Sequence, residues 1–173
     1  MPLPNSFSSL VNELTVLPGV GEKTAERFAF YAISKNKKDE MLNLINALSD
    51  SINLVHECNV CGMITDSEIC DICEDESRKK QLMIVDGCKS VIAFEKTGAF
   101  KGKYHILNGL ISPVNGVGPD DIGLDKILER IKKEEISEII IAIPSSMEGE
   151  LTSMYLKKIL SNENVKIYQI GYG

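Results

Sequence analysis

The stretch CNVCGMITDSEICDIC, residues 58–73, carries four of the chain's five cysteines, as two Cys-x-x-Cys pairs with eight residues between them. A Cys-x-x-Cys turn sets two sulfurs on one side of a metal ion, and a second such turn closes the shell. Zn²⁺ takes four tetrahedral ligands, and four thiolates leave no open position for a catalytic water. Cys58, Cys61, Cys70 and Cys73 therefore read as a structural zinc site. Two redox pairs are the weaker reading, because neither pair opens a helix inside a βαβ unit. The apolar residues of the segment are Val60, Met63, Ile64, Ile69 and Ile72, too few to fold it by burial alone. Metal binding contributes ~10–16 kcal/mol in zinc-finger peptides. The ion is therefore expected to give this loop its shape and to hold the flanking parts of the chain together. His56 precedes the first thiol by two residues and reads as a surface or capping histidine. Cys88 stands alone and reads as a small buried apolar residue.

The bulk composition supports a metal over disulfides. The start, MPLPNSFSSL, shows no basic stretch followed by an apolar one, so no secretory signal is visible and a reducing cytoplasm is the expected compartment. No apolar run reaches the ~20 residues of a membrane span, so no membrane partner is expected. At 43% apolar and 25% charged residues the chain is of globular rather than disordered composition. The net charge of −6 argues against nucleic-acid binding unless a local basic patch supplies it.

On the N-terminal side of the cysteines, residues 1–56 read as a helical unit. Helices are expected over about 7–16, over a segment with Ala25, Phe28, Ala29, Ala32 and Ile33 on one face, and over 39–55. The last carries an apolar stripe of Met41, Leu44, Ile45, Leu48, Ile52 and Val55. Between the first two lies LPGVG, 17–21. Gly19 and Gly21 let backbone N–H groups point outward together, and with the following helix N-terminus they offer a seat for a phosphate oxygen. Lys23 and Arg27, one turn apart, add charge beside it. Such a device grips nucleic-acid backbone without reading bases; a plain helix–helix turn with no ligand is the alternative. GVGEKT is not a P-loop, because Glu22 separates Gly21 from Lys23 and no strand precedes it.

On the C-terminal side, EDESRKK (74–80) reads as a solvated connector. Strands are then expected at LMIVD (82–86), KYHIL (103–107), EIIIAI (138–143) and VKIYQI (165–170). A helix carrying Leu124, Ile127, Leu128 and Ile131 and a second covering about 147–161 are also expected. Strands alternating with helices imply a parallel sheet wrapped by helices. Asp86 ends a buried strand, and Glu148 and Glu150 follow the strongest one. Carboxylates at the C-terminal ends of parallel strands converge where such sheets bind ligands, so Mg²⁺ is one occupant to consider. A capping box, with Ser145 as N-cap and Glu148 returning to it, is the stronger reading of the glutamates.

Taken in order, LPGVGEKTAERFAF (17–30), the four-cysteine motif, AFEKTGAFKGKYHILNGLISPVNGVGPDDI (93–122) and MEGELTSMYL (147–156) resemble the RecR family of bacterial recombination mediators over nearly the whole chain. The resemblance implies a helix-hairpin-helix unit (1–56), a four-cysteine zinc finger (57–79) and an α/β Toprim domain with a mostly parallel sheet (80–173). It implies a dimer or tetrameric ring that encircles DNA, works with RecO and in some organisms RecF, and helps RecA replace single-strand-binding protein without catalysing a reaction. Carried over by position, Gly19, Gly21, Lys23 and Arg27 would contact DNA, the four cysteines would hold zinc, and Asp86, Glu148 and Glu150 would occupy the Toprim acidic positions or meet a partner. Two departures stand out. The strand-end acid, usually Glu, is Asp86 here, and the chain ends at QIGYG, where family members continue into a segment that helps join subunits; ring closure is in doubt on that count.

Three functions compete. A DNA clamp would draw on Lys23, Arg27, Lys35, Lys37 and Lys38 for a basic inner wall. A Mg²⁺-dependent phosphoryl-transfer enzyme would need the three acids on a metal and a nucleophile; Tyr155 falls in an apolar helix row and reads as core. A zinc-stabilised protein-interaction module would suit the acidic balance and the run EDE (74–76). The resemblance favours the clamp, acting in the cytoplasm at the nucleoid.

Overall fold

A computed structural model describes residues 3–171, which fall into two compact units dividing between Leu54 and Val55. The first unit holds α1 (Asn5–Leu14), α2 (Glu22–Ala32) and α3 (Lys38–Leu54). Phe7 and Val11 of α1 bury against Ala25 and Ala29 of α2. Alanine at both seam positions lets the helices approach closely. The Phe7 and Phe30 rings meet with centroids 4.6 Å apart. Because the alanines form the seam, Phe28 and Ile33, expected on the same buried face, stay exposed. The larger departure is α3. No residue of it is buried, and its apolar stripe stands in solvent, with Ile52 79% and Leu44 50% exposed.

The second unit begins with the cysteine segment. Strands β1 (His56–Glu57) and β2 (Ile64–Thr65) pair antiparallel, and a single helical turn, α4 (Asp71–Glu74), carries the last cysteine. The remaining elements are β3 (Gln81–Val85), α5 (Cys88–Thr97), β4 (Lys103–Ile106), α6 (Leu124–Lys133), β5 (Glu138–Ala142), α7 (Met147–Leu160) and β6 (Lys166–Gln169), with 3-10 turns at Pro113–Asn115 and Pro119–Ile122. The four long strands form one sheet in the order β4-β3-β5-β6, with every pairing parallel.

Alternation along the strands sorts the core into two layers, as the pleat requires. Leu82, Ile84, Ile139, Ile141 and Ile143 face α6 and α7, meeting Ile127, Ile131, Leu156 and Leu160. Met83, Val85, Tyr104 and Ala142 face the other way, toward Val91 of α5 and toward Met63 and Ile72 of the cysteine segment. The helix α5 was not expected from periodicity. It ends on Gly98 in the left-handed conformation, φ 63°, a common helix stop.

The connector 74–80 is not simply solvated. Arg78 makes a two-pronged ion pair with Glu95, at 2.7 and 3.0 Å, and donates to the Gly102 carbonyl at 2.9 Å. The hydrogen bond from Arg78 holds the Glu95 carboxyl below its usual range. A second arginine plays a comparable part on edge strand β4. The buried Arg130 of α6 donates to the Tyr104 carbonyl at 2.7 Å and to Glu134 at 2.6 Å, and lies 3.3 Å from His105 Nδ1. Burial alone would push Glu134 up, but Arg130 and Lys103 outweigh it and hold the carboxyl below its usual range.

His105 is buried beside these cations. Burial, then Arg130 and Lys126, push it down to about 4. The fold therefore keeps the imidazole neutral, and the stability this contributes is present above the unfolded value near 6.5 and lost as pH falls toward 4. Urea unfolding of the metal-loaded protein should lose ~1.4 kcal/mol per pH unit more steeply between about pH 6 and 4.5 in the wild type than in His105→Asn. Equal slopes would show that another group carries the titration.

Candidate functional site

The four cysteines are buried and their sulfurs all lie within 4.8 Å of one another. Cys61 and Cys70 Sγ are 3.5 Å apart. A tetrahedral ion with Zn–S of ~2.3 Å needs sulfurs ~3.8 Å apart, so the set fits zinc closely. Two turns create the cluster. The first folds back through the Cys58 N–H to the Met63 carbonyl at 2.7 Å and the Gly62 N–H to the Cys58 carbonyl at 3.0 Å. The second is α4, with Cys70 as its N-cap. Backbone N–H groups point at sulfur, from Cys70 to Cys58 at 3.3 Å and from Met63 to Cys61 at 3.4 Å, as they would toward thiolates. Burial pushes the Cys58 thiol up, yet the N–H groups of Cys70, Cys61 and Val60 outweigh it and bring it to about 7. Burial raises Cys70 to about 11, and Cys61 rises through its bond to Cys73 and its own burial. Without a cation, then, Cys58 ionises more readily than an ordinary thiol, and Cys61 and Cys70 less readily.

The knuckle is fastened to the α/β sheet. The Ile106 N–H, on the outer side of β4, donates to the Cys61 carbonyl at 2.8 Å, and Lys103 Nζ donates to the Cys73 carbonyl at 3.0 Å. Cys88, expected as buried core, is instead half-exposed at the first position of α5, with its thiol 3.9 Å from the Gly62 carbonyl.

In the first unit, Gly19 adopts φ 80°, a left-handed conformation that costs a side-chain-bearing residue roughly 1–2 kcal/mol. It turns the chain so that Gly21, in extended geometry, becomes the N-cap of α2. The Thr24 and Ala25 N–H groups bond back to the Gly21 carbonyl. Among the described residues, no hydrogen bond engages the N–H groups of Gly19, Gly21, Glu22 or Lys23. Lys23 and Arg27 are exposed on the first two turns of α2, and the Arg27 guanidinium lies over the Phe28 ring at 5.5 Å. Lys37 is already committed, pairing with Glu40 at 2.6 Å and stacking on Tyr31; Lys35 and Lys38 are exposed and, among the described residues, carry no ion pair.

Asp86, Glu148 and Glu150 all lie at or just before helix starts. Asp86, just past β3, accepts from Ser90 Oγ at 2.6 Å. The N-cap of α7 is Ser146, one residue later than expected, and it accepts from the Gly149 N–H at 3.1 Å. Glu148 and Glu150 sit in that first turn. The residue between them, Gly149, is what the sequence reading missed. A Cβ there would stand 1.8 Å from the Pro144 carbonyl oxygen, so only glycine lets α7 start against the end of β5 and carry both glutamates to the sheet edge. Thr152 then ties the long loop down, accepting from the Ile111 N–H at 2.8 Å. Tyr155 packs against the core beside Leu156. Among the described residues, the cysteine set is the one group of three or more such donors close enough to share an ion; Asp86, Glu148 and Glu150 do not form another.

Comparison with known proteins matches this layout segment by segment. Residues 7–52 match the family model for the RecR helix-hairpin-helix, 55–75 that for the RecR four-cysteine zinc finger domain, and 80–171 that for the Toprim domain. The recombination protein RecR of Natranaerobius thermophilus is 43% identical over 98% of this chain and 85% of its own length. That of Desulfatibacillum aliphaticivorans is 42% identical over the same shares, and that of a Staphylococcus aureus strain 40% identical over 100% of this chain and 87% of its own. With the cysteine cluster, the glycine turn and the parallel sheet each falling within its matching segment, the chain belongs to the RecR family.

Proposed function

We propose that this protein is a DNA-binding recombination mediator that performs no chemistry on its ligand. It would act in the cytoplasm with RecO, and with RecF where that protein is present, to help RecA onto single-stranded DNA. The observation that carries the reading is the Gly19–Lys23 turn, whose four unengaged N–H groups lie beside the exposed cations Lys23 and Arg27. N–H groups at a helix start seat a phosphate oxygen, and the two side chains hold its neighbours, all without base contacts. The Mg²⁺-enzyme reading gains no support from Asp86, Glu148 and Glu150, which do not gather as a three-ligand set. These acids suit a partner contact better. Double charge reversal, Lys23→Glu with Arg27→Glu, should weaken binding of a labelled duplex at least tenfold and flatten the dependence of log K on log salt by about 2, near 0.9 per phosphate contact. Unchanged affinity and slope would remove the hairpin from the interface.

Cys58, Cys61, Cys70 and Cys73 would hold one Zn²⁺ with a structural role, fixing residues 57–79 on the edge of the sheet. The bound ion would offset half the charge of four thiolates and supply nothing reactive. Purified protein should contain about one zinc per chain, and Cys61→Ser should lose it. Chelation should lower the urea midpoint of the intact chain, and cobalt exchange should give the visible spectrum of a tetrahedral tetrathiolate. A metal-free chain with an unchanged midpoint would contradict the structural role.

Self-association completes the proposal. The exposed α3 stripe, with Leu48 near its middle and Ile52 toward its C-terminal end, has the amphipathic pattern of a helix that buries one face. A second copy of the same unit is the occupant proposed. Sedimentation should find a dimer or larger species in the wild type and a monomer in Leu48→Glu with Ile52→Glu. A monomeric wild type at micromolar concentration would refute this assignment.

A further inference from the structure

The N-terminal edge of the parallel sheet carries a row of lysines that neither the metal centre nor the hairpin uses. Lys79 and Lys101 lie two residues before β3 and β4, and Lys166 opens β6. Backbone hydrogen bonds join these segments into one rim. The Lys79 N–H donates to the Lys101 carbonyl at 2.9 Å, the Ser137 N–H to the Lys80 carbonyl at 2.9 Å, and the Lys166 N–H to the Ser137 carbonyl at 3.0 Å. Helices running antiparallel to the strands end at the same edge, bringing Lys132 and Lys133 from the last turn of α6 and Lys158 from that of α7. All six are exposed, and none makes an ion pair among the described residues.

The carboxylates of this edge are largely committed elsewhere. Glu134 holds Arg130 and Lys103, Glu135 holds Lys80, Glu95 holds Arg78, and Glu138 accepts from the Gln81 side chain. Among the described residues Glu76 and Glu163 carry no ion pair, so cations outnumber free acids along the rim. Helix dipoles explain lysines in the last turns of α6 and α7. They do not explain Lys79, Lys101 and Lys166, which lie on no helix.

We infer that this rim is a second, sequence-independent contact for the phosphate backbone of nucleic acid. Four strands ~4.8 Å apart make a rim of about 14 Å, which measured along a duplex axis covers about four phosphates of one strand at ~3.4 Å of rise per charge. Lysine, a compact charge on a flexible stem, suits such a contact. An acidic protein partner fits less well, since protein interfaces centre on apolar or aromatic anchors. Among the described residues, none of the large exposed apolar side chains lies at the start of a strand of the four-stranded sheet; Val114, Met147 and Leu151 stand at the opposite edge. The inference rests on the chain being a DNA binder but not on the hairpin at Gly19.

The test uses the full metal-loaded chain and a fluorescein-labelled duplex of about 30 base pairs, with anisotropy read between about 50 and 200 mM salt. Replacing Lys79, Lys101, Lys133 and Lys166 together by Gln should flatten the slope of log K against log salt by about 2 to 4 and weaken binding at low salt at least tenfold. The loss should add to that of the Lys23→Glu, Arg27→Glu chain, so either contact can fail without the other. An unchanged slope would overturn the inference, as would competition by poly-glutamate that matches DNA at equal charge. Should the fourfold variant fail to fold, acetylation of the wild-type lysines with and without duplex decides. Protection of these four supports the contact, and equal reactivity refutes it.

Discussion

Four sulfur atoms within 4.8 Å of one another cannot all ionise without a cation between them, and the second unit is arranged around that constraint. The N–H groups aimed at Cys58 ease the first thiolate, while burial opposes ionisation of Cys70. A divalent ion reverses the balance at once, because each thiolate it binds is stabilised by far more than burial costs. What the cluster organises is short: two two-residue strands, one helical turn and a few apolar side chains. Those side chains nevertheless reach the sheet, where Met63 and Ile72 complete the layer around Met83 and Tyr104.

The sheet has its own polarity. Every strand runs the same way, so strand ends and helix starts share one edge, and strand starts and helix ends share the other. Acids collect at the first, where Asp86, Glu148 and Glu150 cap or accompany helix starts. Lysines collect at the second. A net charge of −6 therefore says little about any one face, because at the strand-start edge most carboxylates are already paired and six lysines carry no ion pair among the described residues.

Much of this was legible in the sequence. The cysteine spacing announced the four-sulfur cluster because such a set is defined by short-range covalent reach. The strands at 82–86 and 138–143 showed as apolar runs because central parallel strands are covered on both faces, while the edge strands at 103–107 and 165–170 showed through their β-branched and aromatic residues. The turn at Gly19 and Gly21 was readable because its geometry is equally local. What stayed hidden depends on distant neighbours. The stripe of α3 looked like core, and periodicity alone cannot say which molecule covers it. Arg78 looked like part of a charged connector because Glu95 lies 17 residues away. Gly149 looked incidental until the Pro144 carbonyl appeared beneath it. The N-cap at Ser146 rather than Ser145 is a one-residue slip between two adjacent serines with equal propensity.

Strand β4 lies at the margin of the sheet, and such a margin offers a row of unsatisfied main-chain groups. Here two of them are taken up from outside, the Tyr104 carbonyl by the Arg130 guanidinium and the Ile106 N–H by the Cys61 carbonyl. An open margin can recruit the strand of another molecule and seed aggregation. Metal starvation or thiol oxidation would thus do more than loosen a small loop: it would uncover a templating surface, turning loss of an ion into a hazard for every copy nearby.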